Sequence, residues 1–409
     1  SIYIEENDVL DNIDGLLNLN SAGGSLVLTD NVSLTHIDGL VNLSTVGGDL
    51  SITGNVPLTH LDGLANLTGS VGGNLHIRNN VNLSHIDGLA NLTHVVQDLK
   101  IETNPALSNI NGLAMLSSIG KGLFISGNTV LSQIDGLAGL TSVGGSLVIA
   151  NNAVLSDLDG MGELTSVGED FVISSNAALT QIDGLANLSS VGLSLWVDSN
   201  ETLNNFNGLA GLTRVGSALR IHDNSSLTQI DGLANIASVG RDLDITWNDA
   251  LTNVDGLANL IEVGWSLNIQ NNLSLTNIDG LAKLTNVGHD LRISSNAALA
   301  DISGLVNLAS VGWELHVMGN ATLGLCSALA PLLGWPEGPP NDHVGGLILV
   351  SGNAGGCNSV EEILASVSIP TAPVITASEA FNGEAVLTFT PSTTSDPVWT
   401  ITGYYALCL

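Results

Sequence analysis

The sequence predicts an all-β protein: a right-handed β-solenoid of leucine-rich-like coils, with a C-terminal cap and a partial β-sandwich. The glycine of an I-D-G-L motif recurs every 24 residues, with a single step of 25. These glycines are Gly15, Gly39, Gly63, Gly88, Gly112, Gly136, Gly160, Gly184, Gly208, Gly232, Gly256, Gly280 and Gly304. A fixed period of this length is typical of solenoids, in which each unit buries its apolar face only against its neighbours.

One unit shows how each coil is expected to fold. After Asn152 the apolar residues recur in steps of three, a spacing that drifts around a helix, and glycines interrupt the unit. Phe171 and Ile173 then alternate as in a strand, so a short strand is predicted there, with tight bends elsewhere. Because stacked coils lie ~4.8 Å apart, roughly 15 coils predict a rod on the order of 70 Å long.

Asparagines recur in phase with the predicted strand. They begin at Asn7 and end at Asn353, and between them lie Asn31, Asn55, Asn80, Asn104, Asn128, Asn152, Asn176, Asn200, Asn224, Asn248, Asn272, Asn296 and Asn320. A buried amide with a neighbour above and below can satisfy its donors and acceptor along a ladder. We therefore interpret these asparagines as structural rather than ligand-binding.

The repeated pattern L-x-I-x-x-N-x-x-L-x-x-I-x-G-L-x-x-L, from residue 1 to about 353, resembles a leucine-rich repeat. It resembles the receptor L domain more closely, because N-x-x-L replaces the usual N-x-L. The resemblance implies a right-handed β-helix. It implies no ligand, since such folds bind many unrelated partners.

Composition restricts the function classes. Hydrophobic residues make up 44% of the chain and aromatic residues only 3%, as expected for a narrow core of Leu, Ile and Val. There are 39 Asp and Glu against 8 Lys and Arg, a formal charge of -31, so nucleic acid is an unfavourable partner. An acidic surface suits a secreted protein in salty or calcium-rich surroundings. No apolar run is long enough to form a transmembrane segment.

The aspartates of the I-D-G-L motif are a first candidate for chemistry. They are Asp14, Asp38, Asp62, Asp87, Asp135, Asp159, Asp183, Asp231, Asp255 and Asp279, and they are expected to stack as a column. Like charges at that spacing repel, so raised pKa values or bound calcium are conceivable. Asn111, Asn207 and Ser303 occupy the same position, however, and all three residue types can hydrogen-bond a turn. We predict a turn-capping role, with a calcium-binding column as the alternative.

Two further columns are rich in hydroxyl groups. One begins Thr35, Thr59 and Ser84, and the other begins Ser44 and Thr68. Regular threonine arrays on a flat solenoid resemble those of ice-binding proteins, which gives an ice-binding solenoid as one alternative function. Such arrays usually carry T-x-T within one strand, whereas the neighbouring position here varies.

The repeat decays after Gly304, and three regions are predicted: a solenoid over 1–320, a C-terminal cap over 321–368 and a truncated domain over 369–409. A Pro-rich insertion, a last strand at 347–349 and a Ser359 capping box before a short helix are predicted in the cap. Cys326 and Cys357 flank the insertion, and a disulfide between them implies an oxidising compartment.

The sequence at each end of the chain predicts further structure beyond it. Ile2 and Ile4 already occupy strand positions, so a leader or preceding coils are expected before residue 1. After a linker at 369–373, strand-like runs at 374–377, 385–390 and 399–409 resemble the start of a fibronectin type III domain. Such a sandwich needs about 100 residues, so a longer protein is expected, with Cys408 paired elsewhere. An uncapped coil or a half-built sandwich leaves backbone groups unpaired, so contact with another chain is expected.

An enzyme is not predicted, because nearly every carboxylate lies at a recurring position and no catalytic or metal-spaced cluster stands out. The irregular surface lies in the C-terminal half, where exposed columns carry aromatic, basic and amide residues. The candidate ligand or partner site comprises Trp247, Trp265, His289, Arg292, Trp313 and His316. Aromatic residues at coil spacing with polar neighbours can bind sugar rings or a protein.

Together these observations predict a non-enzymatic extracellular or cell-surface protein that acts as a rigid adhesion or matrix module, or as a subunit of an extracellular filament. The expected partners are a protein or a surface glycan, with self-association into fibres as a further possibility and no nucleic acid. The alternatives are a carbohydrate-binding module of a larger secreted enzyme and the ice-binding solenoid. No cofactor is expected apart from the calcium alternative.

Overall fold

The computed structural model describes residues 1–334 and 343–367, and the backbone of the strands Val374–Phe381 and Glu384–Thr390. It is an all-β parallel solenoid, which confirms the predicted fold class. Two long parallel sheets, of 15 and 13 strands, run along it, and each strand pairs with the strand about one repeat earlier. The right-handed sense of the coil stays a prediction.

The broad sheet is formed by the L-x-I segments. Its strands are Ile2–Glu5, Leu26–Thr29, Leu50–Thr53, Leu75–Arg78, Leu99–Glu102, Leu123–Ser126, Leu147–Ala150, Phe171–Ser174, Leu195–Asp198, Leu219–His222, Leu243–Thr246, Leu267–Gln270, Leu291–Ser294, Leu315–Met318 and Ile348–Ser351. The strand count of 15 matches the predicted number of coils. In the interior coils the first and third residues of each strand are buried, so the second and fourth face outward, as strand geometry requires.

A second, narrow sheet forms where the sequence interpretation expected only bends. Its strands are Ser21–Ala22, Thr45–Val46, Gly69–Val71, Leu92–Val95, Ser118–Ile119, Ser142–Val143, Ser166–Val167, Ser190–Val191, Arg214–Val215, Ser238–Val239, Glu262–Val263, Asn286–Val287 and Ser310–Val311. Most of these strands hold only two residues with one buried valine, too short for alternation to reveal them.

The I-D-G-L motifs form short 3-10 turns between the two sheets. The turns are Asp14–Leu16, Asp38–Leu40, Asp62–Leu64, Asp87–Leu89, Asn111–Leu113, Asp135–Leu137, Asp159–Met161, Asp183–Leu185, Asn207–Leu209, Asp231–Leu233, Asp255–Leu257, Asp279–Leu281, Ser303–Leu305 and Ser327–Leu329. Stacking of these turns explains the recurring glycine. A Cβ on Gly208 would overlap the carbonyl oxygen of Ile182 in the preceding coil, and most other motif glycines show the same overlap.

The core is a continuous stack of Leu, Ile and Val side chains along the axis. Columns such as Leu131, Leu155 and Leu179 are completely buried, and Phe171 and Phe206 are the largest fully buried residues. Each fully buried side chain of this size contributes roughly 1.5–3 kcal/mol relative to exposure. The low aromatic content follows from the narrow space inside each coil.

The recurring asparagines form a buried hydrogen-bonded ladder through the stacked coils. Asn31 and every ladder asparagine from Asn55 to Asn320 are completely buried. Nδ2 of Asn176 donates to the carbonyl oxygen of Ile149 at 2.9 Å, while its Oδ1 accepts the backbone N–H of Asn152 at 3.1 Å. The ladder therefore satisfies buried donors and acceptors in consecutive coils and has a structural role.

The C-terminal cap holds the predicted disulfide, which joins Cys326 to Cys357 across a separation of 31 residues. The predicted helix is the α-helix Val360–Ser366, whose first turn is capped by Ser359 Oγ accepting the backbone N–H of Glu362. The last broad-sheet strand, Ile348–Ser351, begins one residue later than predicted and extends two residues further.

Residues 374–381 and 384–390 form two antiparallel strands, which contain the first two predicted runs. The predicted strand at 399–409, the linker at 369–373, Cys408 and residues 335–342 of the Pro-rich insertion lie outside the described residues. The resemblance to fibronectin type III and the boundaries at 320 and 368 stay predictions.

Candidate interaction site

Three aromatic side chains stack along the rod at the position after the V-G bend. The ring of His289 lies 4.2 Å from that of Trp265 and 6.2 Å from that of Trp313, measured between centroids, with interplanar angles of 11° and 22°. We call Trp265, His289 and Trp313 the tryptophan stack. The two indoles remain 44% and 50% exposed. Because the rings cover one another, solvent reaches only the ring edges and the two outer ring faces of the stack.

The outer face of Trp313 lies beside a glycine of the next coil. A Cβ on Gly346 would be 3.3 Å from Cδ2 of Trp313, so the absence of a side chain leaves room for the indole. This face is therefore the part of the stack best suited to a flat ligand.

An ionic network lies beside the stack. Nη2 of Arg292 contacts Oδ2 of Asp290 at 2.9 Å and Oε2 of Glu314 at 3.3 Å. The same Glu314 oxygen lies 3.1 Å from Nε2 of His316, and Asp290 Oδ1 lies 3.2 Å from Nδ1 of His289. The Asp290 side chain is only 7% exposed, and its Oδ1 also accepts the backbone N–H of Glu314. The guanidinium of Arg292, a residue of the predicted ligand site, is therefore engaged by the protein's own carboxylates.

Five of the six predicted site residues thus lie together, whereas Trp247 has a different setting. It precedes the ladder residue Asn248 in a left-handed conformation with φ of 62°, a position filled elsewhere by Gly, Asn, Asp or Ser in most coils. Among the described residues no ring contact joins Trp247 to the stack. The Trp247 side chain is 53% exposed.

The turn cap differs from the expected one. The backbone N–H of Asp255 donates to Oδ1 of Asn253, two residues earlier, and Asp159 is capped in the same way by Asp157. In another coil the acceptor is Nδ1 of His60, which lies 3.4 Å from the backbone nitrogen of Asp62. The cap therefore comes from the variable polar position before the motif, and the motif aspartates do not cap their own turns in the described coils. The equivalent Nδ1 atoms of His36 and His85 make no such bond and lie 3.5 Å and 3.4 Å from Oδ2 of Asp38 and Asp87.

The motif aspartates instead form an exposed column of carboxylates. Desolvation raises the pKa of Asp159 above its ordinary value, and the charges of Asp157, Asp183 and Asp135 raise it further. The pKa of Asp255 is raised for the same reasons. Among residues 1–334 and 343–367, no group of three or more His, Cys, Asp or Glu is arranged to hold a metal ion.

The hydroxyl columns join neighbouring coils. Oγ1 of Thr165 donates to the carbonyl oxygen of Thr141 at 3.0 Å, and Thr180 donates to Ser156 at 3.2 Å. Both hydroxyl columns repeat this bond in many coils. The recurrence of Ser and Thr therefore has a structural cause, because the side chain reinforces the backbone contact between coils.

A second surface was missed by the sequence interpretation. Four successive coils carry an apolar residue at the first outward position of the broad sheet, in strict register: Phe124, Val148, Val172 and Trp196. We call these four residues the apolar strip. The sequence signal for the apolar strip is an apolar middle residue in the L-x-I segments of these four consecutive coils.

Comparison with known proteins gives no family assignment: no family model matches the chain, and no curated protein matches it either. The likeness to leucine-rich repeats and to the receptor L domain thus rests on the repeat pattern and the parallel coils. Among the described residues, no helix is long and apolar enough to cross a membrane.

Proposed function

We propose that this chain is a non-enzymatic extracellular or cell-surface repeat protein that acts as a rigid adhesion or matrix module. The observation that carries the proposal is the broad sheet of 15 parallel strands, in which every coil pairs directly with the next. A solenoid of this kind transmits its shape from neighbour to neighbour and holds an attached site at a fixed distance.

Rigidity is supported by the number of independent bonds between coils. The strand ladders, the buried asparagine amides and the hydroxyl columns each connect one coil to the next. A hinge would have to break all three sets at the same level of the rod. A filament subunit is the structural variant of the same proposal.

The cap supports an oxidising location. The bond between Cys326 and Cys357 closes the chain around the final broad-sheet strand. Disulfides persist in secreted and surface proteins and are rare in reducing compartments. An extracellular or cell-surface setting is therefore the one we propose.

For the adhesion site we propose the tryptophan stack with Arg292 and His316. Exposed indole edges beside a charged network favour a protein partner, because aromatic and arginine residues dominate the energetics of protein interfaces. The outer face of Trp313 beside Gly346 favours the alternative, a carbohydrate-binding module, since sugars stack on ring faces.

The test is a Trp265→Ala, Trp313→Ala double variant, assayed on glycan arrays and for attachment of protein-coated beads to cells and matrix proteins. Loss of at least tenfold in binding is expected, because interface tryptophans are typical hot spots. Leu193→Ala is the matched control, since Leu193 lies in the same column three coils earlier and is also exposed.

The readouts separate the alternatives. Loss of binding to matrix protein supports the adhesion role, whereas loss confined to glycans supports the carbohydrate-binding module. Equal binding by the double variant and the wild-type chain would reject the stack as the adhesion site. Electron microscopy of the full chain should show straight rods of uniform length, and flexible or bent particles would contradict a rigid module.

A further inference from the structure

The outward face of the broad sheet differs in charge from the rest of the molecule. Its 30 outward positions, two from each of 15 strands, contain four acidic residues and four Lys or Arg. The acidic residues are Glu5, Glu102, Asp198 and Asp244, and the basic residues are Arg78, Lys100, Arg220 and Arg292. The whole sequence has 39 acidic and 8 basic residues. This face therefore carries no formal net charge in a strongly acidic chain.

The apolar strip lies at the centre of this neutral face. Trp196 is 37% exposed, and Phe124, Val148 and Val172 are half-buried by their neighbours in the column. The strip extends about 14 Å along the rod, because adjacent strands lie ~4.8 Å apart. Beside it, the second outward positions are small: Ser126, Ala150 and Ser174. The result is a flat apolar surface.

The fold itself does not require apolar residues in this column. Other coils place Ser51, His76, Asp244 or Asn268 at the equivalent position. Four consecutive apolar residues flanked by polar ones are therefore a property of this surface, and contiguous exposed apolar area is typical of interaction sites.

A basic residue lies at each end of the apolar strip. Lys100 Nζ lies 5.0 Å from the ring centroid of Phe124 and 3.7 Å from Oδ2 of Asp98. Beyond Trp196, Nε of Arg220 lies 3.3 Å from Oδ1 of Asp198. An apolar centre with a paired polar rim is the usual anatomy of a protein interface.

We propose that this face binds a second copy of the chain, sheet against sheet, about a two-fold axis that runs parallel to the strands between Val148 and Val172. Two chains of charge -31 repel over most of their surfaces, and this neutral face is where they approach without net repulsion. The axis places Phe124 opposite Trp196 of the second copy and Val148 opposite its Val172. The apolar strip is thus complementary to itself.

The rim agrees with this arrangement. The same axis places His76 opposite Asp244 of the second copy and Glu102 opposite its His222, two pairings of complementary character. Lys100 then faces Arg220 of the second copy, and each of these cations keeps its own carboxylate partner. An axis along the rod would instead place each strand opposite its own copy, so Phe124 and Trp196 would not meet.

The available area fits a reversible dimer. Fourteen of the 15 strands overlap about this axis. Four residues per strand and ~4.8 Å between strands give a footprint of roughly 900 Å² per copy, close to the ~800 Å² per partner of a standard interface. Self-association through this face is independent of the adhesion role proposed above.

The test compares two variants of the full chain by analytical ultracentrifugation over a concentration series. Val172→Asp introduces a charge into the strip, and Val154→Asp makes the same substitution at a valine that is 43% exposed in a turn outside the broad sheet. Wild-type and Val154→Asp chains should dimerise similarly, and Val172→Asp should dimerise at least tenfold more weakly. Added salt should strengthen the wild-type dimer, because it screens the repulsion of two acidic chains.

Cross-linking tests the axis itself. In a Cys408→Ser background, a mixture of Ser51→Cys and Asn268→Cys chains should give more covalent dimer with a short bifunctional maleimide than either chain alone. The axis places Ser51 opposite Asn268 of the second copy, whereas like positions lie nine strand spacings, roughly 43 Å, apart along the rod. Far-UV circular dichroism confirms that each variant is folded.

Three outcomes would overturn the proposal: a wild-type chain that stays monomeric at all concentrations, equal weakening by Val172→Asp and Val154→Asp, or a dimer that dissociates as salt is added. A monomer that nevertheless binds an apolar fluorescent dye at the strip would assign the face to a different partner.

Discussion

The asparagine ladder gives the strongest quantitative prediction. Replacing Asn176 by alanine removes the acceptor of the Asn152 N–H and the donor to the carbonyl oxygen of Ile149, and both of these groups lie in the buried interior of the stack. A buried polar group left without a partner costs about 1–3 kcal/mol. Two such groups, with the cavity left by the amide, predict a loss of about 4 kcal/mol.

The repeat supplies a matched control. Asn7 occupies the ladder position in the first coil but is exposed, so water can replace its bonds. Asn7→Ala is expected to cost less than 1 kcal/mol, like other surface changes. An Asn176→Asp variant keeps an acceptor but can donate to Ile149 only while its carboxyl is protonated, so its destabilisation should increase as the carboxyl ionises.

Urea unfolding followed by far-UV circular dichroism and tryptophan emission measures these effects. A repeat array can lose cooperativity when one level weakens, so the Asn176→Ala trace should show an earlier transition than that of the wild type. Equal midpoints for Asn176→Ala and Asn7→Ala would refute the view that buried amides hold the coils together.

Three further predictions concern single positions. Gly208→Ala should lower the free energy of unfolding in urea by about 3 kcal/mol or more, because the new Cβ overlaps the carbonyl oxygen of Ile182. Gly15→Ala has open space around it and should cost little, and equal losses would contradict this account. Trp247→Asn should raise the free energy of unfolding by roughly 1 kcal/mol, since asparagine tolerates the left-handed backbone better; a loss of stability would show that the indole packs usefully. Asp159→Asn should stabilise the fold near neutral pH and have no effect below the ordinary pKa of aspartate. The raised pKa favours the protonated form in the folded state, and stability is lost as pH rises through it; a pH-independent effect would exclude this mechanism.

Much of the fold could be predicted because the repeat demands specific residues. Ladder asparagines, core leucines and most motif glycines are required in the interior coils, so the coil length and the broad sheet could be predicted from spacing, and the disulfide from two cysteines that flank the insertion. The narrow sheet was not predicted because most of its strands contain only one outward and one buried residue. Two residues are too few to show the alternation that indicates a strand. The predicted turn cap was the motif aspartate, such as Asp255, whereas the observed acceptor is Asn253, two residues earlier. Sequence could not separate them, because both side chains can accept a hydrogen bond from a backbone N–H.

The candidate site was only partly predictable. Spacing correctly placed Trp265, His289 and Trp313 on one column, but it could not show that the rings stack on each other. Nor could it show that Arg292 is engaged by Asp290 and Glu314, because the orientation of its side chain depends on neighbours in its own coil and in the next.

The direction of the hydrogen bonds has a mechanical consequence. Bonds between coils point along the rod, so tension between its two ends opens them one coil at a time. Each released coil of 24 residues lengthens the chain by roughly 75–80 Å, which should appear as evenly spaced steps in single-molecule pulling. The bond between Cys326 and Cys357 holds the Ile348–Ser351 strand inside a closed loop, so a reducing agent should expose an additional length of chain. Under load the solenoid would therefore act as an extensible tether that yields stepwise before its attachment is lost.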